Sequence, residues 1–106
     1  MRNSNTNLQG NSFSESVKDQ VWQKGRIDLS KDQKGNTYRR DVCGALIRYD
    51  QYGQQTTYGW EIDHIKPVSK GGTDNIDNLQ PLQWSNNRNK ADQYPAYPNT
   101  YCVVKQ

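Results

Sequence analysis

Hydrophobic positions are sparse at the start of the chain and fall into regular patterns only from residue 14 onward. Residues 1–13, MRNSNTNLQGNSF, show no periodicity and read as a flexible N-terminal arm. In SESVKDQVWQKG, residues 14–25, Val17 and Val21 share one helical face. Ser14 offers a cap and Gly25 a stop, so a short helix is predicted. Residues 26–41 are charged and loop-like, ending in Arg39 and Arg40. CGALIRY (43–49) and TTYGWEIDHI (56–65) have strand composition, with DQYGQQ as a polar hairpin turn between them. KPVSKGGTDNID, residues 66–77, reads as a loop. LQPLQ (79–83) is extended, and Pro81 keeps it at a sheet edge because proline has no N–H to donate. WSNNRNKAD (84–92) suits a short helix that Pro95 cannot continue, and TYCVVK (100–105) has strand composition.

Composition narrows the picture. A chain of 106 residues with 31% hydrophobic positions has room for one small core. Eleven aromatics (three Trp, seven Tyr and one Phe) are expected to carry much of its packing. Cys43 and Cys102 are too few for a disulfide framework or a four-cysteine zinc site, and read as reduced thiols of a cytoplasmic protein. Residues 1–20 lack the apolar run of a signal peptide, and no membrane span is expected. Net charge is +3, with nine Lys/Arg against six Asp/Glu in residues 1–60 and five of each afterwards. A basic first half suits approach to a polyanion, although many ordinary domains carry such a charge.

The chemistry concentrates around a single histidine. Asp63 precedes His64, and Glu61 lies two residues earlier on the same side of the predicted strand. Asn78 follows, then Asn87 in the last predicted helix. An imidazole can take a proton from water near neutrality. A carboxylate and an amide carbonyl are hard oxygen donors of the kind Mg²⁺ or Mn²⁺ accepts. An isolated Asp-His pair is nonetheless more often a structural hydrogen bond, and Asn-rich runs are usually caps or solvated faces.

The segment EIDHIKPVSKGGTDNIDNLQPLQWSNNRNK, residues 61–90, resembles the HNH endonuclease motif. That pattern runs Asp-His-Ile-x-Pro, a Gly-Gly loop, Asn-Leu, then Asn-x-x-Lys. The resemblance implies an α+β fold of the ββα-metal type, with an N-terminal helix and an added β-hairpin. It implies one nuclease domain over residues 14–106 with its core motif at 58–92. It further implies a phosphodiester-cleaving enzyme acting on nucleic acid, DNA favoured, with one divalent cation, Mg²⁺ or Mn²⁺. His64 would be the general base, Asp63 and Asn87 the metal ligands, and Asn78 a brace for the loop that orients His64. Arg88 and Lys90 become candidates for phosphate contact, joined by Arg39, Arg40, Lys66 and Lys70. Glu61 is a lesser candidate for a water-mediated metal contact, and Trp84 reads as core rather than a base-stacking platform.

The chain departs from the family at the structural zinc that many members bind through two C-x-x-C pairs. Cys43 remains, but Leu46, Gln83 and Asn86 stand where the other cysteines would fall. One cysteine cannot hold a tetrahedral zinc, so none is expected, and aromatic packing by Trp60, Trp84 and the tyrosines is expected in its place. An RNase, a sugar-nonselective nuclease and a non-catalytic nucleic-acid-binding module remain alternatives. A phage, defence or toxin role is open, the last implying an immunity protein as partner and secretion or delivery.

Overall fold

The computed structural model describes residues 3–106, so the arm expected at residues 1 and 2 lies outside the described residues. Helix α1 spans Glu15–Trp22, opened by Ser14, whose hydroxyl accepts the Val17 N–H. Two strands, β1 (Tyr38–Arg40) and β2 (Leu46–Arg48), form one antiparallel pair. A second pair joins β3 (Trp60–His64) to β4 (Leu79–Gln83), and α2 (Trp84–Lys90) follows directly. A last short helix, α3, covers Pro98–Tyr101. The architecture is α+β, and β3, β4 and α2 in succession supply a ββα unit.

Apolar faces of α1, β2, β3 and β4 meet in one core of Val21, Trp22, Ile47, Trp60, Ile62 and Leu79. The Trp22 and Trp60 rings stand 5.1 Å apart, with Tyr52 at 4.8 Å from Trp60. Burying an aromatic ring removes a large apolar area from water, which suits a core with so few aliphatic members. Trp84 is only half-buried and donates its indole N–H to the Thr56 carbonyl.

Four expectations need correction. The segment DQYGQQ does not close a hairpin between β2 and β3, because β2 pairs back with β1 and β3 pairs forward with β4. β1 itself lies in the run expected to be loop, where Arg39 and Arg40 pair with Ile47 and Leu46. The 100–105 segment is not a strand. Pro98 presets the first turn of α3, and Asn86 then supplies the hydrogen bonds a neighbouring strand would have given. Its carbonyl accepts Val103 N and Val104 N, each at 2.8 Å, and its amide donates to Val104 O at 2.8 Å. Cys43 and Cys102 are not free thiols but a disulfide with Cα atoms 5.6 Å apart.

Where the family's zinc cysteines would fall, the cross-link is joined by a buried polar cluster. Asp41 accepts the backbone N–H groups of Cys43, Ala45 and Gln83 and the amide of Asn86. Gln83 caps α2 by accepting Ser85 N and Asn86 N. Aromatic packing therefore shares the stabilisation with a covalent bond and a carboxylate cluster. Residues 3–13, within the segment expected to be a flexible arm, contact the core: the Asn5 carbonyl accepts Ile62 N on β3 at 2.8 Å and the Tyr52 hydroxyl at 3.0 Å.

Candidate active site

Alternation along β3 turns Glu61 and Asp63 toward α2, and one helical turn brings Asn87 and Lys90 over them. The Asn87 amide donates to Glu61 Oε1 at 2.8 Å. The Lys90 ammonium lies 3.2 Å from Asp63 Oδ1 and donates to the His64 carbonyl at 3.0 Å. Gln80, opposite Asp63 in the β3–β4 register, donates to Asp63 Oδ2 at 3.0 Å. Arg88 completes the layer with contacts to both Glu61 oxygens, at 3.2 and 2.8 Å. Glu61 is thus engaged in fixing Asn87 and Arg88, not in facing solvent.

Asp63, His64, Asn87 and Arg88 border a cleft of about 740 Å³ that Asn5 and Val68 also line. Burial pushes the Asp63 carboxyl above its usual range, and the Lys90 ammonium and Gln80 amide oppose that shift. A buried carboxylate so placed favours a neighbouring cation. Each Asp63 oxygen accepts one donor and retains a further lone pair. The Asn87 side-chain oxygen, Oδ1, takes part in no hydrogen bond among the described residues, because only its amide nitrogen is tied to Glu61. These two oxygens fit a hard divalent cation whose remaining positions go to water and phosphate. Among the described residues no three His, Cys, Asp or Glu side chains converge.

Asn78 sits at the base of the loop after β3. Its carbonyl accepts Lys66 N at 2.8 Å, while its amide donates to Lys66 O at 3.1 Å and Thr73 O at 2.8 Å. The loop folds tightly there, since a Cβ on Gly72 would lie 1.7 Å from Lys66 O. Only glycine fits that approach. The loop also delivers Asp74, whose Oδ1 lies 2.8 Å from His64 Nε2. Phe13 flanks the imidazole with ring centroids 5.8 Å apart.

The cationic candidates divide. Arg39 is only 6% exposed, and its guanidinium is bonded to the carbonyls of Gln23, Gly25 and Gly35 and to the Gln23 side chain. Lys90 is 1% exposed and held by Asp63 and the His64 carbonyl. Burial has committed both side chains to internal acceptors, although sequence reasoning offered them for phosphate contact. Arg40 is paired with Asp28 at 2.7 Å and bonded to Gly44 O, outside the cleft lining. Lys66 sits over the Tyr94 ring, Lys70 is exposed, and the Arg88 side chain is 44% exposed. Sequence reasoning missed Gln80, Asp74 and Asn5. The only signal for the first was its position opposite Asp63 in a ββ pairing, and nothing local marked the other two.

No curated protein and no solved structure matches the chain. The sequence model of the HNH endonuclease family matches residues 41–93, half of the chain, from the Asp41 turn through β3, β4 and α2. That span contains His64, Asn78, Asn87 and every residue bonded to Asp63, and the chain belongs to the HNH endonuclease family.

Proposed function

We propose that this protein is a metal-dependent endonuclease that hydrolyses phosphodiester bonds in DNA. The observation that carries the reading is the convergence of His64, Asp63 and the unbonded Asn87 side-chain oxygen, Oδ1, on one cleft. Asp63 and Asn87 would hold one Mg²⁺ or Mn²⁺. Bound there, such a cation stabilises charge developing on the phosphoryl and leaving oxygens. His64 takes the proton from the attacking water, and the water oxygen forms the new bond to phosphorus as the leaving oxygen departs. Glu61 keeps Asn87 turned so that its carbonyl stays available. Arg88, half-exposed beside the cleft, steadies a backbone phosphate, and the exposed Lys70 and half-buried Lys66 add attraction along the loop.

The test is nicking of supercoiled plasmid with Mg²⁺, with Mg²⁺ plus EDTA, and with a structured RNA in parallel. Cleavage of DNA that EDTA abolishes supports the reading, whereas cleavage of RNA alone replaces DNA as substrate. His64→Ala should lower the rate on the order of 10²–10⁴-fold while leaving metal binding unchanged. A variant cutting at the wild-type rate removes His64 from its role.

A second reading concerns place of action. The Cys43–Cys102 disulfide favours an oxidising compartment over a reducing cytosol, as suits a secreted or delivered nuclease whose producer needs an immunity protein.

A further inference from the structure

The imidazole of His64 has two nitrogens, and only one can present a lone pair to water while the ring is neutral. We infer that Asp74 is a positioning residue that decides which: Nε2 carries the proton and is held by the Asp74 carboxylate, leaving Nδ1 as the base. This rests on the proposed role of His64, and it assigns a residue that the motif pattern does not single out.

A carboxylate only accepts hydrogen bonds. With Asp74 Oδ1 at 2.8 Å from His64 Nε2, a neutral ring must therefore bear its proton on Nε2. The His64 side chain is 10% exposed, so few waters compete for that contact. Asp74 is itself fixed on two sides. Leu8 N donates to its Oδ2 at 3.1 Å and to Oδ1 at 3.3 Å. On the chain, the preceding Thr73 carbonyl is held by Asn78, which also grips Lys66, two residues beyond His64. Asn78 thus clamps both ends of the loop running from the imidazole to its carboxylate. The route by which Asn78 acts on His64 passes through Asp74.

His64 is the only histidine of the chain, so its two ring nitrogens can be followed by ¹⁵N NMR of the intact protein without ambiguity. The neutral ring of the wild type should show the proton on Nε2. The informative variant is Asp74→Asn, which keeps size and shape. The Leu8 N–H claims the one remaining oxygen, so the new NH₂ group faces Nε2 and drives the ring proton to Nδ1. The expected result is the Nδ1–H form by NMR and a kcat lowered on the order of 10²–10⁴-fold, with KM and the metal midpoint unchanged. Asp74→Ala should give a mixture of the two tautomers and a smaller loss of kcat. A purely structural Asp74 would tolerate the isosteric amide with kcat and tautomer intact, and that result overturns the proposal. So does a wild-type ring protonated on Nδ1. A wild-type protein that shows the Nε2–H form and cuts no nucleic acid sinks the nuclease reading and leaves the Asp74 contact standing.

Discussion

Two carboxylates of this small protein are buried to nearly the same degree, Asp41 at 4% exposure and Asp63 at 6%, and burial raises the pKa of both. Their surroundings are opposite in kind. Asp41 is ringed by four N–H donors, three from backbone and one from Asn86, with no cation in hydrogen-bonding contact among the described residues. Its oxygens are saturated, and it joins the β1–β2 turn to the start of α2. Asp63 has one ammonium, one amide and an open side on the cleft. A buried carboxylate with a full set of dipoles is architecture. One that is under-coordinated beside a cleft has capacity left for a cation.

The largest expected effect follows from changing the same atom in each. On the proposed reading Asp63→Asn removes a charged ligand, so cleavage at limiting Mg²⁺ should fall on the order of 10²–10³-fold per folded molecule, with partial recovery at high metal. Asp41→Asn should leave the metal titration where it was. If it moves the midpoint as far as Asp63→Asn does, the two carboxylates are not distinct in function.

The stability consequence is expected to be next in size. In Asp41→Asn an NH₂ group faces either the Cys43 and Ala45 N–H groups or those of Gln83 and Asn86. Two buried donors are then left unsatisfied, at a cost of about 2–4 kcal/mol in urea unfolding. A loss within experimental scatter would show that the ring of donors is not what holds the turn to α2.

The smallest effect sharpens the role of Lys90. Its ammonium lies 3.2 Å from the Asp63 carboxylate. In Lys90→Met a divalent cation would supply the missing positive charge. Mg²⁺ should therefore stabilise that variant more than wild type, by about 1 kcal/mol or several degrees in Tm. Equal metal-induced shifts in the two proteins would separate Lys90 from the metal site.

The ββα half was legible in the sequence because its signals are local. Asp63, His64, Asn78 and Asn87 stand at fixed offsets within thirty residues, and β4 and α2 follow from Pro81 and from the stop at Pro95. What escaped notice depends on partners far along the chain. β1 is three residues long and becomes a strand only because β2 pairs with it. Arg39 and Lys90 look like surface cations until Gly35 O, Gly25 O and Asp63 are brought to them. Asp74 is one of two acidic residues in a polar loop, and only the loop's fold, tight at Gly72, brings it to His64. The disulfide joins residues 59 apart, with no pattern to announce the pairing.

That cross-link encloses β3, β4, α2 and every group assigned to the chemistry within one covalent ring from Cys43 to Cys102. Closing a ring of this size restricts the unfolded chain by about 4 kcal/mol in the chain-entropy account. A protease that nicks a loop inside the ring leaves two fragments still tethered, free to re-form the hairpin and helix without finding each other by diffusion. In a reducing medium both protections vanish together. Durability is therefore conditional on surroundings: the nuclease is hardest to destroy where thiols are oxidised and easiest to clear where they are not.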